Sequence, residues 1–306
     1  MTSTDKFKGF IRNLRHGGMS SAIGFLRSPE IRKILPGLCQ SFPRKEFEIH
    51  LLSGASRIDM ALWMAASWVA TTERHWRFVV HDDGTLTPDL ADLVYRTLSG
   101  SRVITSLESD AALAGALTGY PLALKCRNLH PLSRKLFDIP FFSSGSHFLT
   151  IDTDVLFFRR PDRLLDWVSE PGRTSLFLED VADNSLPDAI EAARLLGGAL
   201  TRRINTGIIA VSKETILLPQ IEECLERTSI LNGDPWFIEQ SLYATLASLN
   251  SNVEFLPPSY EMSVAETCQD DAVSRHYVGA VRHLFYSEGI QKLRPLIAGR
   301  PHGLEP

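Results

Sequence analysis

Two aspartates one residue apart, Asp152 and Asp154, follow the most apolar strand-like run of the chain, His147-Phe148-Leu149-Thr150-Ile151. At the carboxyl end of a central strand, such a pair stands on the edge of an open α/β sheet where ligands collect. Two carboxylates held close together repel unless a cation neutralises them. A hard divalent ion, Mn²⁺ or Mg²⁺, suits oxygen ligands and bridges to diphosphate oxygens. The chemistry this points to is group transfer with a diphosphate leaving group, the ion acting as a Lewis acid. Glu179 and Asp180, just beyond Leu176-Phe177-Leu178, are the candidate bases for deprotonating an acceptor hydroxyl, and a plain turn at a strand end accounts for them equally well. Asp234 before Pro235 reads first as a helix cap, and Trp236 reads first as a packing residue with stacking on a sugar as its alternative.

From about residue 47 strand-like and helix-like stretches alternate, the pattern of a mostly parallel sheet covered by helices. Strands are predicted over 47–52, 76–80, 101–104, 147–151, 175–178, 207–211 and 253–256. Helices are predicted over 59–72, near 128–138, and over 187–198 and 235–249, with one more opening at Thr87-Pro88-Asp89. Residues 276–295 are too mixed to assign. Trp63, Trp68 and Trp76 are expected to pack the first of these helices on the sheet. One α/β domain over 46–306, preceded by a basic helical appendage over 1–45, is the simplest organisation.

With 44% hydrophobic and 22% charged residues the chain can bury a sizeable core. Its net charge of −4 gives no reason to expect nucleic acid as a partner. That mean hides an asymmetry: residues 1–45 hold nine Lys/Arg against Asp5 and Glu30, about +7, and the remainder carries about −11. Phe7, Phe10, Ile11 and Leu14 fall at helical spacing among Lys6, Lys8, Arg12 and Arg15, so residues 6–15 form a basic amphipathic helix ended by Gly17-Gly18. It is expected to dock on its own domain through that stripe; contact with an anionic membrane surface or an acidic partner is the alternative. Cys39, Cys126, Cys224 and Cys268 are widely spaced, which disfavours a zinc site or disulfide framework. No apolar run reaches the roughly 18–20 residues of a membrane span, and the N-terminus lacks the features of a secretory signal, so a cytoplasmic setting is expected.

Taken in order, four elements resemble those of the GT-A nucleotide-sugar transferases, especially the family-8-like ones. They are Phe148-Leu149-Thr150-Ile151-Asp152-Thr153-Asp154, then Ile204-Asn205-Thr206-Gly207, then Glu239-Gln240-Ser241, and last His283 with Gly289-Ile290-Gln291-Lys292. The last is similar to a terminal H-x-x-G-x-x-K, with a longer interval after the histidine. Arg134-Lys135-Leu136 resembles the basic pair that precedes the acidic strand. The resemblance implies a GT-A fold, a Mn²⁺ or Mg²⁺ ion held by Asp152, Asp154 and His283, and a nucleotide-sugar donor, of the UDP-sugar class. It implies that Lys292 contacts the donor diphosphate, that Lys135 and Asn205 line the sugar pocket, and that Gln240 lies near the anomeric carbon. Ser53 with Asp82 or Asp83 would hold the nucleoside. The acceptor would be a saccharide, lipid-linked or protein hydroxyl.

Two other classes stand against this. A haloacid-dehalogenase-like phosphatase also carries D-x-D after an apolar strand, and Val79-Val80-His81-Asp82-Asp83-Gly84-Thr85-Leu86 matches the tail of that signature with His81 where the nucleophilic aspartate belongs. A non-catalytic nucleotide-sugar-binding homologue would have no need of the paired acids. A dinucleotide-binding Rossmann domain is disfavoured, because no G-x-G-x-x-G follows the first strand.

Overall fold

A computed structural model describes residues 3–299. Two helices lead, α1 (Ser3–Arg27) and α2 (Ile31–Gln40). Strands and helices then alternate as β1 (Arg44–Ser53), α3 (Ile58–Thr72), β2 (His75–Asp82), α4 (Pro88–Thr97) and β3 (Arg102–Ile104). Three helices, α5 (Ser106–Ala116), α6 (Pro121–Leu129) and α7 (Arg134–Phe142), lead into β4 (His147–Ile151) and the short β5 (Val155–Phe157). After α8 (Asp162–Ser169) come β6 (Thr174–Glu179), α9 (Pro187–Leu195), β7 (Ile204–Ser212), α10 (Leu218–Arg227) and α11 (Pro235–Asn250). The chain finishes with β8 (Asn252–Phe255), β9 (Tyr260–Met262), β10 (Ser274–His276) and α12 (Ile290–Ala298).

The expected α/β architecture is present, a mostly parallel sheet flanked by helices with a helical N-terminal segment. Seven strands lie in the order β3-β2-β1-β4-β7-β6-β8, and β7 alone runs against both its neighbours. The order reverses direction at β1, from which the sheet grows both ways, and this switch point puts the carboxyl ends of β1 and β4 on one edge. A second sheet, β5-β10-β9, folds over that edge, with β10 antiparallel to β5 and parallel to β9.

Helix α3 is apolar on nearly every side, and it is buried on nearly every side. Trp68 packs edge-on against Trp76 and Phe157, with centroids 5.7 and 4.9 Å apart, and Trp63 donates its indole N–H to the Ser28 carbonyl at 2.9 Å. These contacts tie α3 to both sheets and to the N-terminal segment. The helical N-terminal segment packs on the domain. Phe25, Ile31, Leu35, Leu38 and Cys39 belong to the same core as β1 and α3, and Arg32 forms a bidentate pair with Asp59 at 2.6 and 2.9 Å.

Candidate active site

Strand register brings the acidic pair its partners. Ile151 of β4 lies opposite Ile208 of β7, so the chain turns at Asp152 where the Asp152 N–H meets the Gly207 carbonyl at 2.8 Å. The turn closes with Val155 N–H on the Asp152 carbonyl, 3.1 Å, and enters β5. There Val155 is paired with His276 of β10, and the Tyr277 N–H donates to the Asp154 carbonyl at 2.8 Å. His276 is thereby set beside both aspartates: its Nε2 is 3.2 Å from Asp154 Oδ1 and 3.9 Å from Asp152 Oδ2.

The imidazole is oriented from behind. Asn205 Nδ2 donates to Asp180 Oδ2 at 3.0 Å, while Asn205 Oδ1 accepts from the Gly207 N–H at 2.9 Å. That oxygen also sits 3.1 Å from His276 Nδ1, which donates to it, and Nε2 is the atom presented to the carboxylates. Second-sphere bonds of this kind fix the tautomer of metal-binding histidines. One oxygen from each of Asp152 and Asp154 and one imidazole nitrogen lie within 4.8 Å of one another. This oxygen-rich set with one imidazole fits Mn²⁺ or Mg²⁺.

Charge around the pair is arranged in two tiers. Arg282 donates from Nε to Asp154 Oδ2 at 2.9 Å, and Arg57 is 3.9 Å from the same oxygen. Burial alone would raise the Asp154 carboxyl, but His276, then Arg282 and Arg57, outweigh it and hold the group well below the usual carboxylate range. Behind Asp152, the buried Lys135 ammonium donates to Asp152 Oδ1 and the Thr206 carbonyl, both at 3.1 Å, and lies 3.5 Å from Glu239. Burial works against a charged lysine there, yet Asp152 and Glu239 raise its pKa above the usual value. Glu239 accepts from the Thr206 hydroxyl at 3.0 Å, and burial pushes its carboxyl up to about 7 against the pull of Lys135.

All of these groups face one cavity of about 540 Å³, which also takes in Asp180, Gln240 and the half-exposed Trp236. Asp152, Asp154, Lys135, Asn205, Gln240 and Asp180 are thus brought together. Other sequence candidates lie elsewhere. Among the described residues the third group of the cluster is His276, not His283. His283 packs instead against α1, its ring at Gly17 and its carbonyl accepting from Ser21 Oγ at 2.7 Å. Lys292 also turns away, donating to the Gln269 carbonyl at 2.9 Å and covering the Phe158 ring, and the basic groups at the cavity besides Lys135 are Arg57 and Arg282. The signal for both corrections was in the sequence: His276-Tyr277-Val278-Gly279-Ala280-Val281-Arg282 is H-x-x-G-x-x-K with arginine in place of lysine. Arg57, in the loop after β1, has no such signal.

Glu179 points outward to Arg203, 3.0 Å away, because residues alternate across β6 and Asp180 takes the inner side. Asp82 is an internal cap, its carboxylate accepting from the N–H groups of Gly84, Leu86 and Ser106 at 2.8, 2.9 and 3.1 Å. His81 is buried against His50, and the Asp82 carboxylate is taken up by three N–H groups, so neither is offered to a ligand as a nucleophile. Ser53 is buried with its hydroxyl on the neighbouring Gly54 carbonyl. Asp83 lines a second cavity of about 590 Å³ at the ends of β1 and β2, where Lys8, Arg12 and Phe25 of α1 form the facing wall.

Neither a family model nor a curated protein matches the chain. Solved structures similar to it include mouse xyloside xylosyltransferase 1 in its apo form, at 9% identity over 78% of this chain and 99% of that one, TM-score 0.48. The galactosyltransferase LgtC, in complex with donor and acceptor sugar analogues, is 14% identical over 85% and 98%, TM-score 0.49. The mannosyltransferase Ktr4p from S. cerevisiae is 10% identical over 83% and 84%, TM-score 0.45.

Proposed function

We propose that the chain is a glycosyltransferase that moves a sugar from a nucleotide-diphosphate donor, of the UDP-sugar class, to a hydroxyl acceptor with the help of Mn²⁺ or Mg²⁺. One observation carries this reading: Asp152, Asp154 and His276 share a cavity with two guanidinium groups, Arg57 and Arg282. A mixed set of anionic ligands and cations is suited to a bridging partner that is itself a polyanion, and a diphosphate is such a partner.

Asp152, Asp154 and His276 would hold the ion, which supplies Lewis-acid stabilisation of the departing diphosphate. Arg57 and Arg282 add charge-assisted hydrogen bonds to the same leaving group. Lys135 keeps Asp152 in place from behind, since its ammonium is tied to Thr206 as well. Asn205 plays that part for His276. Gln240 and Asp180 face the cavity where the sugar would lie, so they are the groups to orient its hydroxyls or support its oxocarbenium character. In transfer the bond from anomeric carbon to diphosphate breaks, a bond to the acceptor oxygen forms, and the acceptor proton leaves to a base. Trp236, half-exposed at the rim, is placed to stack on a saccharide.

Thermal-shift titration with UDP-sugars tests the reading. Stabilisation should require Mn²⁺ or Mg²⁺ and vanish in Asp154→Ala, by the mass-action link between ligand binding and folding. Equal stabilisation with and without the cation, or undiminished metal-dependent turnover in Asp154→Ala, overturns it.

A further inference from the structure

The two arms of helix α1 pack on each other, and the helix meets the rest of the domain at His283 and Tyr286. A Cβ on Gly9 would stand 2.3 Å from the Phe25 ring, and one on Gly24 would stand 2.4 Å from the Tyr286 carbonyl. Between them, Asn13 donates to the Gly9 carbonyl at 2.9 Å and accepts from Ser21 Oγ at 3.2 Å, and Gly17 lies against His283. Small and polar residues therefore line the contact between the arms and the contact with His283 and Tyr286, with Phe10 and Leu14 half-buried at the margin. At Gly18 the backbone takes φ 66, ψ −167, a left-handed value that suits glycine and divides the helix into two arms.

The price of this docking is an uncovered apolar row. Phe7 is 65% exposed and Met19 58%, and Ile11, Ile23 and Leu26 are 43, 40 and 53% exposed. On the first arm, Phe7 and Ile11 share a surface depression of about 320 Å³ with Lys8, Arg12, Arg15 and His16. Lys8, Arg12 and Arg15 are exposed, and the only acidic residue of α1 is Asp5. The surrounding segment, residues 1–45, carries about +7 in a chain of net charge −4. Large apolar side chains set among exposed basic ones match an anionic bilayer surface, where the apolar groups enter the acyl boundary and the cations meet headgroup phosphates. No helix among the described residues is long and apolar enough to cross a membrane, so the contact would lie in the interface plane.

We propose that the first arm of α1, through Phe7 and Ile11 with Lys8, Arg12 and Arg15, docks the protein on an anionic lipid bilayer. This does not depend on the transfer reading. Lys8 and Arg12 also line the cavity that contains Asp83, so docking brings the ends of β1 and β2 next to the lipid surface.

Co-sedimentation of the full chain with vesicles tests this. The protein should pellet with phosphatidylcholine vesicles containing phosphatidylglycerol, stay in solution with phosphatidylcholine alone, and be released by salt. The double variant Phe7→Ser/Ile11→Ser should pellet roughly tenfold less. The triple variant Lys8→Gln/Arg12→Gln/Arg15→Gln should do the same while its melting temperature changes little, because these side chains are exposed. Absence of pelleting with any vesicle, or equal pelleting of both variants and the parent chain, overturns the proposal. So does a concentration-dependent dimer, seen by light scattering, that the double variant abolishes, since a second copy would then be the occupant of this face.

Discussion

Gly207 and His276 touch so closely that a Cβ on Gly207 would stand 2.3 Å from the imidazole Nδ1 and 2.5 Å from Cε1. No side chain fits between them. Glycine at this place on β7 is what lets the ring lie over the strand and aim Nε2 at Asp154. Gly207→Ala is expected to leave the sheet folded and to displace the imidazole. Mn²⁺ affinity measured by calorimetry should fall about 10–100-fold, the range typical when a group that orients a ligand is lost. Unaltered affinity would show that His276 is not part of the ion site.

Arg282→Met removes the nearest guanidinium from a carboxylate that is almost fully buried. Breaking a buried pair costs about 3–5 kcal/mol, but Arg282 is partly solvated, which reduces the expected loss to about 1–2 kcal/mol. Saturating Mn²⁺ should restore most of that loss in urea denaturation, because the cation supplies the missing counter-charge. Failure of Mn²⁺ to restore stability would separate the arginine from the ion site.

Asp138→Ala should be among the more damaging substitutions outside the cavity. The buried Arg127 guanidinium grips Asp138 through Nε at 2.7 Å and Nη2 at 2.9 Å, fastening α6 to α7, the helix that carries Lys135. Asp110, 2.9 Å from Arg127, stays as a second anionic partner, so the loss is expected to fall below the ~3–5 kcal/mol of a fully broken buried pair, read as a lower urea midpoint. Asp138→Asn, which keeps one acceptor, should lose less.

His50 and His81 predict the acid limit of the fold. Their rings share one hydrogen bond, Nδ1 to Nε2 at 3.1 Å, in a fully buried site faced by Glu48, Lys213, Arg102 and Arg134. Burial lowers both histidines below the usual range; for His81 the neighbouring His50 and Arg102 add to that, and for His50 the Glu48 carboxylate opposes it. The unfolded chain takes up protons from about pH 6.5 downward while the folded chain does not. Stability is therefore complete above about pH 6.5 and declines as pH falls through it, by up to about 1.4 kcal/mol per pH unit for each ring. Urea midpoints measured at about pH 7.5 and 5.5 should show that decline, and His81→Asn should flatten it. A slope unchanged by His81→Asn would assign the acid limit to other groups.

The acidic turn was legible because it sits between two apolar strands that have to be buried. Asn205-Thr206-Gly207 was legible for a related reason: an amide and a glycine interrupt an otherwise apolar strand. The third member of the cluster was not, because arginine stands at Arg282 where the motif carries lysine, and His276 is marked only by its spacing from that residue. Asp82 shows the converse. An aspartate at a strand end looks the same in sequence whether it meets a ligand or caps its own loop, and only the N–H groups of Gly84, Leu86 and Ser106 decide between them. In α1 the apolar spacing predicted the helix but not its contacts, since Gly9 and Asn13 meet its own second arm at Phe25 and Ser21 and Gly17 meets His283, which no hydrophobic pattern records.

The reach of Arg282 to Asp154 spans 128 residues of sequence, and that of Lys135 to Thr206 spans 71. Closing loops of this length costs more chain entropy than forming local helices or adjacent strands. Until β10 docks on β5, Asp154 lacks both His276 and Arg282. The three groups that would hold an ion are thus complete only when the C-terminal strands are in place. Cation binding should consequently act as a proofreader of folding, favouring chains in which the C-terminal strands have found their register.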